Sequence, residues 1–206
     1  MSEPLDLVVL VADVDIDQAV DALLRRSQAF GIRPVNYRIF RHPMRDNGCR
    51  TASLEVLRPI AAQFRHALVV FDREGSGGDA LAREPLERQV EAQLEANGWR
   101  ERCGALVLDP EIEIWMWTDS PELDQVIGWA GRQPALRDWL HLQKHAFRSD
   151  GKPMRPKEAL HAALRHVKKQ PSAALFAQLA AKAGLTRCTD PTFLKLKATL
   201  HRWFPR

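Results

Sequence analysis

The sequence predicts an α/β protein with a doubly wound, mainly parallel sheet and a basic helical C-terminal extension. Three apolar runs, at 7–15, 67–74 and 105–113, end on acidic residues, and segments with helical spacing follow them. Runs of this length are typical of parallel strands that are buried on both faces. No strand pattern appears after about residue 120. We therefore expect an α/β core over residues 1–120 and a helical extension over 121–206 that packs on this core.

The first apolar run leads into a predicted helix. Apolar residues recur near helical spacing, Asp17 is the best placed N-cap, and Gly31 ends the segment. Residues 32–43 then alternate as in a strand, and HPMRDNG indicates a loop. A further helix is expected over residues 51–66, which directly precede the second acidic run.

The second and third acidic runs are separated by a predicted loop and helix. GSGG follows the second run, and residues 84–98 have apolar positions at helical spacing, with Pro85 suited to a first turn. Alternating apolar and polar residues predict that the third strand continues past Pro110 as an extended segment. This places Glu111 and Glu113 on the same side of the strand.

The remaining segments predict short helices, because Pro and Gly separate stretches with helical spacing. These stretches are SPELDQVIGWAG, PALRDWLHLQKHAF, PKEALHAALRHVKKQ, SAALFAQLAAKAG and PTFLKLKATLHRWF.

Acidic and basic residues are unevenly distributed along the chain. Residues 1–140 hold 16 Arg and no Lys against 23 acidic residues, and residues 141–206 hold 14 basic residues against three acidic ones. A basic block favours a polyanion or an acidic protein as partner, because phosphate contacts dominate nucleic-acid affinity. The alternative is a solvated helical surface that neutralises the acidic half.

The cysteines and the apolar runs indicate the cellular compartment of the protein. Cys49, Cys103 and Cys188 are widely spaced and form no CxxC pair, so we expect reduced thiols rather than disulfides or zinc ligands. No apolar stretch approaches the roughly 18 to 20 residues that span a bilayer, and the MSEPLD start is unlike a signal peptide. We therefore expect a cytoplasmic protein with no membrane partner.

The acidic strand ends favour a metal site. Asp72 and Glu74 form a D-x-E pair after the second run, and Asp13 follows the first. Ligands of open α/β sheets collect beyond the carboxyl ends of strands, and Mg²⁺ prefers carboxylate oxygens. Acids gathered at one edge would repel each other unless a cation lay between them. The alternative is that these acids cap turns or remain exposed.

Basic residues of the tail are candidates for nucleic-acid contacts. They lie in SDGKPMRPK and at the end of the following predicted helix, and they are Lys152, Arg155, Lys157, Lys168 and Lys169. A Pro/Gly loop with cations beside a metal site suits a phosphate backbone. Solubility and pairing with the acidic core remain the alternative.

Other catalytic patterns find little support. His141 and His145 have zinc-ligand spacing but lack the Glu of H-E-x-x-H. GSGG lacks the Lys and Ser/Thr of a phosphate-binding P-loop, and Ser76 has no nucleophile-elbow motif around it.

Two more segments complete a family pattern. PEIEIW at 110–115 matches the form P-x-I-E-x-W, and CTDPTF lies near the C-terminus. With an acid after the first strand and D-x-E after a later one, the layout resembles the TOPRIM domain. It is most similar to small bacterial TOPRIM-like proteins that are related to the OLD-family nucleases and associated with phage defence. The resemblance implies a TOPRIM-like fold, with Asp72 and Glu74 as the metal pair and Glu113 as an additional ligand.

The first strand departs from the family pattern. The family carries a Glu followed by a Gly there, which serves as general acid or base, whereas this chain has Ala12 and Asp13. One implied function is a Mg²⁺- or Mn²⁺-dependent nuclease of an antiviral defence system, with Asp13, Asp72 and Glu74 as catalytic residues. The other is a catalytically inactive TOPRIM-like subunit that binds nucleic acid or another defence-system protein.

Overall fold

The computed structural model describes residues 3–118, 121–182 and 188–206. These residues form an α/β fold with a four-stranded, all-parallel sheet in the order β2-β1-β3-β4. The predicted parallel sheet is thus confirmed. The strands are β1 (Leu5–Val11), β2 (Tyr37–Arg41), β3 (Phe64–Asp72) and β4 (Cys103–Leu108).

Helices connect the strands and make up the C-terminal part of the chain. The first five are α1 (Val14–Leu24), α2 (Ser27–Phe30), α3 (Arg45–Thr51), α4 (Ser53–Leu57) and α5 (Arg83–Leu94). The later ones are α6 (Glu122–Ile127), α7 (Leu136–Leu142), α8 (Pro156–His166), α9 (Ala173–Lys182) and α10 (Pro191–Trp203). Each of the five helices predicted for the tail is confirmed. No described helix is long and apolar enough to cross a membrane.

The helices flank the sheet on both faces. The crossovers from β1 to β2 and from β2 to β3 run in opposite directions, so right-handed connections place α1 and α3 on opposite faces. Helices α3 and α5 pack together and cover β1, β3 and β4. Helix α9 packs on α1, α10 packs on β4, and Phe193 of α10 contacts Phe30 of α2. The tail therefore supplies part of the covering of the sheet.

The first helix begins earlier than predicted. Its N-cap is Asp13, whose Oδ1 accepts hydrogen bonds from the backbone N–H groups of Asp15 at 3.0 Å and Ile16 at 3.1 Å. Asp17 lies inside the helix, so its prediction as the cap is wrong. Asp13 occupies the N-cap because β1 ends at Val11, which leaves Asp13 as the last extended residue before the first turn of α1.

The segment between β2 and β3 also differs from the prediction. The second strand is confined to Tyr37–Arg41, and helix α3 begins inside the segment that was expected to be a loop. The single helix expected over 51–66 is instead α4 followed by a 3₁₀ helix, Arg58–Gln63. Pro59 explains this break, because proline lacks the N–H that an α-helical turn requires.

The third acidic run does not continue as a strand. Strand β4 ends at Leu108, and Ile112–Trp115 forms a 3₁₀ helix. The prediction that Glu111 and Glu113 lie on one side of an extended strand is therefore wrong. The whole segment is buried, and the Trp115 indole N–H donates to Asp190 Oδ1 at 3.0 Å. Packing against α8 and α10 overrides the local alternation.

Candidate active site

The carboxyl ends of β1 and β3 lie side by side, because Val11 is paired with Val70 in the parallel register. The acids that follow these strands therefore meet at one edge of the sheet. They surround a cavity of about 280 Å³. Its lining residues are Asp13, Arg45, Asp46, Asp72, Glu74, Gly75, Glu111, Arg155, Lys157 and Glu158.

Asp72 lies at the centre of this acidic group. Its side chain is buried, and Oδ1 accepts a hydrogen bond from the backbone N–H of Ile112 at 2.9 Å. Burial raises the pKa of Asp72 well above its usual value, and the carboxylates of Asp46, Glu113, Asp13 and Glu111 raise it further. An uncompensated negative charge is thus unfavourable here, whereas a nearby cation would stabilise it.

Asp46 is a member of the group that the sequence analysis did not identify. It lies in the first turn of α3, and its Oδ1 accepts a hydrogen bond from the backbone N–H of Asp72 at 2.8 Å. Burial raises the pKa of Asp46, and the Asp13 carboxylate adds to the shift. Asp46 follows the end of β2 by five positions in the chain. That position after a third parallel strand is the signal that could have identified it.

Asp13 lines the cavity, but two structural contacts engage its carboxylate. Oδ1 caps α1, and Oδ2 pairs with Arg45 Nη2 at 3.2 Å. Its side chain therefore has a defined orientation at the edge of the cavity.

Glu74 and Glu111 complete the acidic part of the lining. Glu74 is exposed, and its backbone N–H donates to the Pro110 carbonyl oxygen at 3.1 Å. Glu111 Oε2 accepts from Lys157 Nζ at 3.2 Å. Burial raises the pKa of Glu111, and Lys157 opposes this shift. The D-x-E pair and Glu111 therefore border the same space.

Glu113 lies behind this lining rather than in it. The side chain is buried, and Oε2 has no hydrogen-bond partner. Burial raises the pKa of Glu113 to about 7, and the Glu111 carboxylate contributes to the shift. Glu113 therefore affects the site through its charge, and it changes protonation state near neutral pH.

Two of the predicted basic residues reach the cavity. Lys157 lies at the start of α8, and Arg155 precedes it and pairs with Glu158 at 2.6 Å. Burial alone would lower the pKa of Lys157, but the carboxylates of Glu113 and Glu111 outweigh burial and raise it. The basic tail thus contributes cations directly to the acidic edge of the core.

The other predicted basic residues lie elsewhere. Lys152 is 6 % exposed, and its Nζ is 3.7 Å from Asp190 Oδ2, so it belongs to a buried ion pair. Lys168 is exposed, and Lys169 Nζ donates to the carbonyl oxygen of Val126 at 3.0 Å. None of the three lines the acidic cavity.

The donor chemistry of the cavity fits a hard divalent cation, because all the acidic donors are carboxylate oxygens. Within residues 3–118, 121–182 and 188–206, no group of three or more His, Cys, Asp or Glu side chains is arranged to hold a metal ion. Mg²⁺ commonly uses one or two carboxylates and keeps several waters, so a complete protein cage is not required. Asp72 and Glu74 are the residues that would hold it, with Glu113 supplying charge from behind.

Comparison with models of protein families, with curated proteins and with solved structures finds no match to this chain. The fold therefore defines the class only as an α/β protein with a four-stranded parallel sheet and an acidic carboxyl edge.

Proposed function

We propose that this protein is a metal-dependent phosphoryl-transfer enzyme with a TOPRIM-like core, and that it acts as a nuclease within a bacterial antiviral defence system. The observation that carries the proposal is the position of Asp72, which is buried among four other carboxylates at the edge of a cavity that Lys157 and Arg155 also line. The motif resemblance supplies the reaction class and the biological setting. The adjacent ends of β1 and β3 support the proposal, because they bring Asp13 and the D-x-E pair to one edge of the sheet.

The residues of the cavity would have different roles in such a reaction. A bound Mg²⁺ or Mn²⁺ would supply Lewis-acid polarisation of a phosphoryl oxygen and neutralise developing negative charge. Asp72 and Glu74 provide hard oxygen donors at the edge of the sheet. Lys157 and Arg155 hold a phosphate group next to them, because both cations border the same cavity. Asp46 orients the Asp72 backbone through its hydrogen bond.

Substitution of Asp72 by Asn tests the proposal. The Asn carbonyl oxygen can still accept the hydrogen bond from Ile112, so the fold is retained while the charge is removed. We expect cleavage of plasmid DNA or single-stranded DNA in Mg²⁺ or Mn²⁺ to fall by about 100-fold or more. The control is Asp109→Asn, which removes an acid that follows β4, pairs with Arg73 and lies outside the cavity lining.

The two variants separate the outcomes. Cleavage that Asp72→Asn leaves unchanged contradicts the assignment of the metal site. Equal losses in both variants would indicate a general effect on folding, which circular dichroism then detects.

A specific observation favours the alternative, a catalytically inactive subunit that binds nucleic acid or a partner protein. Ala12 stands where the family has its general acid or base, and both oxygens of Asp13, one position later, are engaged by α1 and by Arg45. A proton-transfer group must reach its target within about 3 Å, and Ala12 cannot replace it. Nucleic-acid binding without cleavage in the wild-type protein would support this alternative over the first proposal.

A further inference from the structure

A second cavity lies next to the acidic one. It is shallow and widely open to solvent, has a volume of about 600 Å³ and is located where β1 and β2 end. Asp13 and Arg45 line both cavities, so the two spaces adjoin at these side chains. Sites for small molecules and nucleotides commonly measure roughly 300 to 1,000 Å³ and collect at this edge of α/β sheets.

Two arginines border the second cavity. The side chains of Arg41 and Arg45 are 58 % and 70 % exposed. Arg41 Nε lies 3.6 Å from Asp17 Oδ2, and Arg45 Nη2 lies 3.2 Å from Asp13 Oδ2. A guanidinium carries five N–H donors, so each aspartate orients its arginine while other donors stay available for a phosphate.

The remaining wall is largely apolar. Val14, Ile39, Phe40 and Pro43 contribute to it, and Phe40 is half-buried. An aromatic ring beside cations is the arrangement that binds single-stranded nucleic acid, because every base has a flat face that can stack. Base pairing in a duplex would hide that face, so the cavity favours an unpaired base.

The backbone at Arg45 is unusual. Its φ is +50°, a left-handed conformation that a residue with a side chain rarely adopts. Such conformations persist where the surrounding structure imposes them, and they concentrate at functional sites. Here the conformation places the Arg45 side chain at the junction of the two cavities.

We propose that the cavity at the ends of β1 and β2 is a nucleotide subsite for single-stranded nucleic acid. Arg41 and Arg45 bind a backbone phosphate, and Phe40 stacks on the base of the nucleotide that adjoins the phosphate held in the acidic cavity. This proposal rests on the proposed function, since it identifies single-stranded nucleic acid as the substrate that would enter the active site. Its binding step requires no metal, so it can be tested separately.

The test measures binding of fluorescein-labelled oligonucleotides of ten dT or ten U residues by anisotropy, in EDTA and over a series of salt concentrations. Arg41→Gln and Arg45→Gly each remove a guanidinium, and glycine suits the positive φ at residue 45, so that variant should keep its fold. Arg58→Gln is the control, because Arg58 is exposed and precedes β3 at the opposite end of the sheet.

We expect each cavity variant to weaken binding several-fold and to reduce the slope of log K against log salt by about 0.7, the value for one lost phosphate contact on a single strand. Arg58→Gln should match wild type. Equal behaviour of all three variants overturns the subsite. Absence of saturable binding by wild type up to about 100 µM, the weak end of non-specific affinity, also overturns it.

The subsite and the proposed chemistry fail in different ways. Arginine-dependent binding without any cleavage retains the subsite and contradicts the nuclease activity. Cleavage that needs Asp72, together with binding that does not need Arg41 or Arg45, retains the activity and contradicts the subsite. A preference for dT or U distinguishes DNA from RNA as the strand.

Discussion

At the scale of single residues, the acidic site contains buried carboxyl groups whose ionisation costs free energy. Asp72 and Glu113 are both buried, and neither is paired with a lysine or arginine within the described residues. Lys157, a cation that lines the cavity, bonds directly to Glu111. Buried acids of this kind weaken the fold at neutral pH, which is typical of residues retained for a functional role.

Glu113 predicts a specific dependence of stability on pH. Its pKa is raised from 4.5 to about 7 in the folded state, so the folded protein binds more protons than the unfolded chain between these values. The contribution to stability is present below pH 4.5 and is lost as pH rises through about 7. Glutamine mimics the protonated acid and does not titrate.

We therefore expect Glu113→Gln to raise the free energy of unfolding at pH 8 by on the order of 3 kcal/mol and to change it little at pH 4.5. Urea denaturation at the two pH values measures this difference. Glu55→Gln is the control, because Glu55 is exposed on α4. A gain that is equal at both pH values would contradict the assignment.

At the scale of elements, the outer edge of β4 is covered by side chains. Glu91 accepts from the backbone N–H of Ala105 at 3.0 Å, and Glu87 accepts from that of Val107 at 3.2 Å. From α10, the Thr192 hydroxyl donates to the carbonyl oxygen of Val107 at 2.8 Å. Unpaired strand edges invite pairing with another chain, so these contacts protect the sheet from aggregation at this edge.

Glu87 is central to this edge, because it also pairs with Arg83 at 2.9 Å and Lys195 at 3.0 Å. We expect Glu87→Ala to lower the free energy of unfolding by about 2 kcal/mol, since it leaves the buried N–H of Val107 unpaired and removes one of the two carboxylates that pair with Arg83 and with Lys195. Glu84→Ala on the same helix should cost less than about 1 kcal/mol, because the Glu84 side chain is exposed. Similar losses of unfolding free energy for both variants in urea denaturation would contradict the proposal that Glu87 stabilises the outer edge of β4.

At the scale of the whole molecule, the C-terminal helices complete the core. On α10, Phe193, Leu196 and Trp203 are buried, and the Trp203 ring stacks on His66 of β3 at 4.6 Å. The preceding Asp190 binds the Trp115 indole and lies 3.7 Å from the buried Lys152. Acidic core and basic tail are therefore joined by apolar packing as well as by charge.

Deletion of residues 190–206 should abolish cooperative unfolding, because it exposes the face of β4 that α10 covers. Near-UV circular dichroism and urea denaturation measure this loss. Deletion of residues 205–206 alone is the control, since both are exposed and Arg206 makes one hydrogen bond, to the carbonyl oxygen of Gln28. A sharp transition in the longer deletion would show that the core folds without α10.

Local patterns predicted much of the fold and part of the candidate site. Asp72 and Glu74 could be placed together because parallel strands end at one edge. Asp46 was not identified, because the helix that carries it to Asp72 lies inside a segment with the sequence pattern of a loop. Lys152 and Lys157 look alike in the sequence, yet one lies in a buried ion pair and the other lines the acidic cavity.

The sequence by itself determined the order of the four strands and the parallel sheet, because apolar runs and strand alternation are local properties of the chain. Only the tertiary structure decided that Asp13 pairs with Arg45, that Glu113 is buried without a partner for Oε2, and that Lys157 enters the acidic edge. The physical reason is that burial, charge pairing and pKa depend on residues distant in the chain, which meet only after folding.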